Sequence, residues 1–337
     1  MKRFMILLII GMACMLVKAD MNTVDKYFDR IKVGDPIEYG NLKIFPILAT
    51  RTLSQRDYVS LDEAMERGWL KIRESGEGNV NIVEVRNNGK EKVFILTGEM
   101  LTGAKQDRMI ENDILLPAQS GWVKVPVYCI EHGRWSGVTH EFKSSELVVP
   151  NVVRQKAEHS RSQHEVWAGV AESQQDLGIA SKTGNVKDNY DDKRVQEKIA
   201  DYENNIRRVP DISRATIGIV ATTGNRILCF DMFANNNLLR KYWHKLIKSY
   251  AMDVLHGERS RLTKSDIHEF LEEVQYANYY STGTPGLGDL YDIESTMGKG
   301  SALVYSDAVI HLDFFLSENA IFGNDSDLDL DFRRNRR

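Results

Sequence analysis

Val93-Phe94-Ile95-Leu96, followed by Thr97-Gly98-Glu99-Met100-Leu101-Thr102-Gly103-Ala104-Lys105-Gln106-Asp107-Arg108, decides the reading of this chain. The first four residues are apolar on both faces of a strand, which predicts a strand covered on both sides. That strand then delivers a carboxylate and a glycine-containing cationic loop. Val125 to Ile130 repeats the design and runs into Glu131-His132-Gly133-Arg134-Trp135. Polar groups carried on the ends of buried strands are held by a rigid scaffold, which suits them to binding or catalysis.

Outward from these segments, residues 30–150 read mostly as strands. Ser60-Leu61-Asp62-Glu63 is a capping box whose short helix closes at Gly68. Asn87-Asn88-Gly89 predicts a hairpin between the runs 81–85 and 92–97, and Pro117 and Pro126 predict edges or bulges. From Pro150 the period becomes helical. Ser160 to Gln163 reads as a second capping box, completed by Gln163, with Gly178 as C-cap of the helix that carries Trp167. Val195, Ile199, Tyr202 and Ile206 form one stripe, and Leu239, Tyr242, Trp243, Leu246, Tyr250 and Val254 another. A hairpin is expected around Thr223-Gly224-Asn225, a helix from Thr263, and strands at 302–305 and 309–315. The expected class is therefore α+β, with a strand-rich part (30–150) and a helix-rich part (151–320) in one domain over 20–320.

The 337 residues carry 44 Lys+Arg against 48 Asp+Glu, a net charge of −4, which argues against a general nucleic-acid binder. Lys2-Arg3, the apolar run Phe4 to Val17 and Val17-Lys18-Ala19 predict a cleaved export signal over 1–19; the run is too short for a stable span of the bilayer. An acylated Cys14 is the weaker reading. Cleavage would take the charge to −7 and leave Cys129 and Cys229, expected as buried structural thiols, with a disulfide between them as the alternative that an oxidising compartment permits. The tail 321–337 alternates aspartates and ends in arginines; it reads as a disordered charged terminus rather than a Ca²⁺ loop.

For chemistry, Glu99 and Glu131 form a candidate acid/base pair and His132 a proton shuttle. Lys105, Gln106, Arg108 and Arg134 would hold a phosphate or carboxylate, with Trp135 stacking on a ring. The alternative is that the two glutamates are neutralised in structural ion pairs. No metal-ligand, Walker or nucleophile-elbow motif occurs, so no metal ligand is named and the cofactor is left open. Thr282 to Gly288 reads as a turn, and His159 and His164 as surface residues.

The segments Leu96–Arg108, Val125–Trp135, Gln163–Trp167, Ser181–Thr183, Asp231–Phe233 and Tyr242–Ala251 together resemble the domain associated with ADP-ribosylglycohydrolases and rhodanese/phosphatase-superfamily proteins. That name records an association and not a reaction. The resemblance implies that the two polar loops form a site. The expected function is an exported domain that binds a small anion of nucleotide or ADP-ribose kind and would admit hydrolysis; the alternative is a non-enzymatic structural or partner-binding envelope protein.

Overall fold

The structure, a computed structural model, describes residues 23–76, 80–134, 139–317 and 320. The expected export signal, Trp135 and the charged tail therefore lie outside the described residues.

A helix α1 over residues 23–28 leads into β1 (Ile31–Val33), β2 (Ile37–Tyr39) and β3 (Leu42–Ala49). Then come β4 (Val59–Ser60), α2 (Leu61–Glu66), β5 (Leu70–Glu74), β6 (Ile82–Asn87), β7 (Val93–Ile95), β8 (Glu99–Gly103), β9 (Arg108–Ile110), β10 (Ile114–Leu116), β11 (Gly121–Cys129) and β12 (Glu141–Val148). The helices α3 (Asn151–Ser160), α4 (Gln163–Leu177), α5 (Lys187–Asp191) and α6 (Lys193–Ile206) precede the hairpin β13 (Thr216–Thr223) and β14 (Arg226–Phe233). After α7 (Asn236–Val254) and α8 (Lys264–Gln275), the chain closes with β15 (Asn278–Thr282), β16 (Asp289–Glu294), β17 (Gly298–Tyr305) and β18 (Ala308–Leu316).

The fold is mixed α+β. The division into a strand-rich and a helix-rich part holds only partly, because six strands, β13 to β18, lie beyond residue 150. They build a nine-stranded sheet in the order β1-β3-β13-β14-β18-β17-β16-β15, with β2 also on β3, so both ends of the chain share it. Six middle strands close a barrel, β11-β6-β5-β12-β8-β9, and β10-β7-β4 form a small third sheet. Strands β15 and β16 escape the sequence reading because β15 is largely solvent-facing and lacks an apolar stripe. The Gly-rich run between them is their turn, with Leu287 N–H on Leu115 O at 2.7 Å.

The two-faced strands behave as predicted. Val93 and Ile95 of β7 face the barrel core with Leu101, Ile110 and Val127, whereas Phe94 and Leu96 face the large core of sheet and helices. On β11, Val125 and Val127 look into the barrel and Tyr128 and the following Ile130 look out. Alternation of side chains makes each such strand a wall shared by two cores. Tyr242 of α7 fastens this wall by donating to Phe94 O at 2.6 Å.

Local signals hold at several termini. Ser60 and Glu63 make the reciprocal capping box of α2, and Thr263 and Asp266 that of α8. Gly178 caps α4 in the left-handed region, and all four stripe residues of α6 are buried. Two expectations fail. The Asn87 turn does form, with Gly89 N–H on Asn87 Oδ1 at 2.8 Å, but it joins no hairpin. Strand β6 pairs with β5 and β11 while β7 pairs with β10 and β4, so the turn hands the chain from barrel to small sheet. Ser160 does not cap α4 either, because α3 runs through it; Ser162 precedes α4 without a side-chain cap. Pro126 lies where β11 changes partner from β6 to β9, a position at which a missing N–H costs little.

Candidate functional site

The loop 103–108 leaves β8 through two residues with positive φ, Gly103 (125°) and Ala104 (45°). A Cβ at Gly103 would stand 2.7 Å from Glu141 O, so only glycine fits. Asp107 holds this turn by accepting Gly103 N–H at 3.1 Å.

The second loop docks onto the first. Glu131 Oε2 accepts Asp107 N–H at 3.2 Å and Arg134 Nε at 2.8 Å, and its Oε1 accepts the Thr183 hydroxyl at 3.1 Å. Arg134 also reaches Asp107 Oδ1 at 3.1 Å and Ala104 O at 3.0 Å. Gln106 donates to Glu131 O at 2.8 Å, and Asn185 donates to Asp107 Oδ2 at 2.8 Å. Thr183 O takes Gly133 N–H at 2.7 Å, where a Cβ would press on Thr183 at 3.0 Å. Three segments, 103–108, 131–134 and 183–186, thus interlock at one end of the barrel.

Burial would raise the Glu131 pKa, but Arg134, the Asp107 N–H and Thr183 outweigh it and hold it below the ordinary value. Asp107 goes the other way: burial lifts it, against the pull of Asn185 and the Gly103 N–H.

Arg108 is fully buried. It stands across the ladder from Leu101 and Cys129, so its side chain shares the barrel-facing side of Leu101. Its Nη1 donates to Gln106 Oε1 and Asp107 O, both at 3.3 Å, while Nε and Nη2 have no partner. Glu74 follows Leu70 and Ile72 on the inward face of β5; its Oε1 accepts Lys105 N–H at 3.3 Å and its buried Oε2 has no partner. The barrel end therefore holds both unsatisfied donors and an unsatisfied acceptor.

Glu99 does not join this cluster. It begins β8 and the loop 103–108 follows its end, a separation of roughly 13 Å at strand rise. Glu99 pairs instead with Lys245 of α7, which also meets Asp62 at 2.5 Å, and its Oε2 accepts Leu96 N–H at 2.8 Å. Burial pushes its pKa up to about 7. The acid/base pairing of Glu99 with Glu131 is thereby corrected: two covered strands deliver two carboxylates to different networks. His132 is exposed and sets its ring edge-on to Trp167, with centroids 4.2 Å apart. Lys105 is partly buried at the same barrel end.

Gln163 is not a cap residue. Its amide brackets the backbone of Cys129, accepting from N–H at 2.7 Å and donating to O at 2.8 Å. Cys129 and Cys229 are both free and buried. Burial raises the Cys129 pKa, and Arg108, a cation that is near in space, is among the groups that moderate it. His159 is partly buried and meets Phe315 O at 3.0 Å, whereas His164 is exposed.

Sequence reasoning missed a second network deeper in the molecule. Arg154 of α3 grips Asp231 of β14 and reaches Asp313 of β18 at 3.3 Å. His311 Nδ1 lies 2.7 Å from Asp113 and its Nε2 3.2 Å from Asp231, while Tyr250 donates to Asp231 at 2.5 Å. The signal was present in Val309-Ile310-His311-Leu312-Asp313-Phe314, where ionisable residues interrupt an apolar strand.

Residues 30–315 match the family model of the ARG and Rhodanese-Phosphatase-superfamily-associated Protein domain. The chain belongs to that family. No curated protein and no solved structure matches it. The matched range contains the whole barrel, the nine-stranded sheet to within one residue of its end, and both polar networks, so the family's sequence pattern spans the fold and not one loop. Among the described residues no helix is long and apolar enough to cross a membrane.

Proposed function

We propose that the protein binds a small hydroxylated anion of the nucleotide or sugar-phosphate kind at the end of the barrel. Arg108 carries this reading: a guanidinium with no access to solvent and two unpaired nitrogens. Leaving such donors unpaired costs several kcal/mol (~1–3 per group), and an anionic oxygen placed there recovers it. The unpaired Glu74 Oε2 adds an acceptor suited to a hydroxyl of the same ligand. Export, directed by residues 1–19, is the setting in which we read this activity.

Binding is favoured over hydrolysis. Glu131 already accepts from Asp107, Arg134 and Thr183 and is held ionised by them, which leaves a poor general base. The second reading, a partner-binding protein without catalysis, draws on the same closed pairing and on the Glu99–Lys245 pair.

Calorimetric titration of the full chain with inorganic phosphate, ribose 5-phosphate and ADP-ribose tests the proposal. Saturable binding of at least one is expected, weakened tenfold or more in Arg108→Gln and preserved in Glu131→Gln. No binding to any of the three, or undiminished binding in a folded Arg108→Gln protein, rejects the anion site in favour of the partner-binding reading.

A further inference from the structure

A second site lies elsewhere on the molecule and does not depend on the reading above. A cleft of about 430 Å³ opens between the start of α3, α4, the turn from β13 to β14 and the end of α7. Its walls carry Glu172, Asp176, Asp253 and Glu258, against the cation Arg226 and the imidazole of His256. Glu172 is partly answered by Lys156 at 3.1 Å and Glu258 by Arg261 at 3.4 Å. Asp176 and Asp253 have no ion-pair partner among the described residues. Asp253 accepts Val152 N–H at 2.6 Å. Beside it, Asn151 is 2% exposed; its amide nitrogen donates to Leu228 O at 3.1 Å while its Oδ1 accepts nothing.

We propose that this cleft binds a small aliphatic polyamine, one ammonium group on Asp253 and Asn151 Oδ1 and a second on Asp176. The surplus is one of acceptors and negative charge, so the occupant must donate and be cationic. The carboxylates do not gather around a point: among the described residues no group of three or more His, Cys, Asp or Glu is arranged to hold a metal ion. Charges spread along a cleft match a ligand whose own charges are spaced along a chain.

Protonation of Asp253 sets the pH dependence of that binding. Burial pushes the Asp253 pKa up to about 8; Val152 N–H and Arg226 lower it, and Glu172 and Asp176 raise it. Binding an ammonium group must expel that proton. Affinity should therefore rise between about pH 6.5 and 8.5, below the titration of an aliphatic amine near 10.

The test is calorimetric titration of the full chain with putrescine and spermidine at constant ionic strength, repeated in buffers of different ionisation enthalpy to count protons released. Saturable binding with proton release is expected, at least tenfold weaker in Asp253→Asn and tighter in Arg226→Ala, which removes the resident competitor. Asparagine keeps an oxygen for Val152 N–H, so Asp253→Asn should fold, and Asp176→Asn on α4 provides an independent variant. Absence of saturable binding below about 10 mM, an affinity weaker than about −3 kcal/mol, overturns the proposal. So does unchanged affinity in both aspartate variants.

Discussion

Arg154 meets Asp231 fork to fork, Nη2 on Oδ1 at 2.6 Å and Nη1 on Oδ2 at 3.2 Å, with neither side chain reaching solvent. The pair ties α3 to the middle of the nine-stranded sheet, and His311 and Tyr250 complete the shell of Asp231. Coulombic attraction from Arg154 and the hydrogen bonds of His311 overcome burial and hold Asp231 far below the ordinary carboxylate range.

Removing one partner strands the other in a medium that cannot solvate it. Asp231→Asn should lower stability by about 3–5 kcal/mol, read from urea unfolding. Lys187→Ala, which breaks the partly exposed pair with Asp191, should cost under about 1 kcal/mol. Equal costs would show that Arg154 finds solvent or another partner.

The pH dependence follows from the shifted groups. Burial would depress His311, but Asp113 and Asp231 prevail and raise it to about 10. Its contribution is complete below the ordinary value near 6.5 and is lost as pH climbs through about 10. Burial raises Glu99 to about 7 and Asp253 to about 8, so their protonated folded forms also lose stability as pH rises through those values. Asp231, lowered, contributes above the ordinary carboxylate range and loses that contribution in acid. Stability should peak below about pH 6.5 and fall toward pH 10. His311→Gln should flatten the alkaline limb by on the order of 5 kcal/mol. An unchanged slope in that variant would remove His311 as the cause.

Arg134 bridges both loops of the barrel end. Arg134→Ala should cost about 1–3 kcal/mol and raise amide exchange at Gly103 and Asp107, whose N–H groups are held inside the interlock. Exchange restricted to residues 131–134 would mean that the loop 103–108 stands without it.

Neither thiol should react with a disulfide reagent in the folded protein. Burial drives Cys229 well above its ordinary pKa, and Asp231 beside it adds to the shift. Both should become reactive together at the unfolding midpoint. Early modification of Cys129 alone would reveal local opening at the barrel end.

If residues 1–19 direct export, Edman sequencing of the chain recovered outside the cytoplasm of an expressing cell should begin at or near Asp20. A first residue of Met1, or an acylated Cys14, would reject cleavage after Ala19.

Periodicity, capping and turn chemistry are properties of a few adjacent residues, and these were legible. The two faces of β7 and β11, the caps at Ser60 and Thr263, the stripe of α6 and the turn at Gly224 all stand as the sequence implies. At the candidate site, the meeting of Arg134 with Glu131 was within reach of the same reasoning, since a buried carboxylate seeks a nearby cation.

Partner choice was not legible. Glu99 had cations nearby in sequence yet found Lys245, 146 residues away. Asn87 makes its turn without making a hairpin, and Gln163 passes over its own helix to hold Cys129. Each of these groups has several neighbours able to satisfy it, so sequence alone left the pairing degenerate. Closing six strands into a barrel removed the degeneracy. It set Arg108 inward beside Leu101 and left two of its nitrogens unpaired, which only the tertiary structure decided.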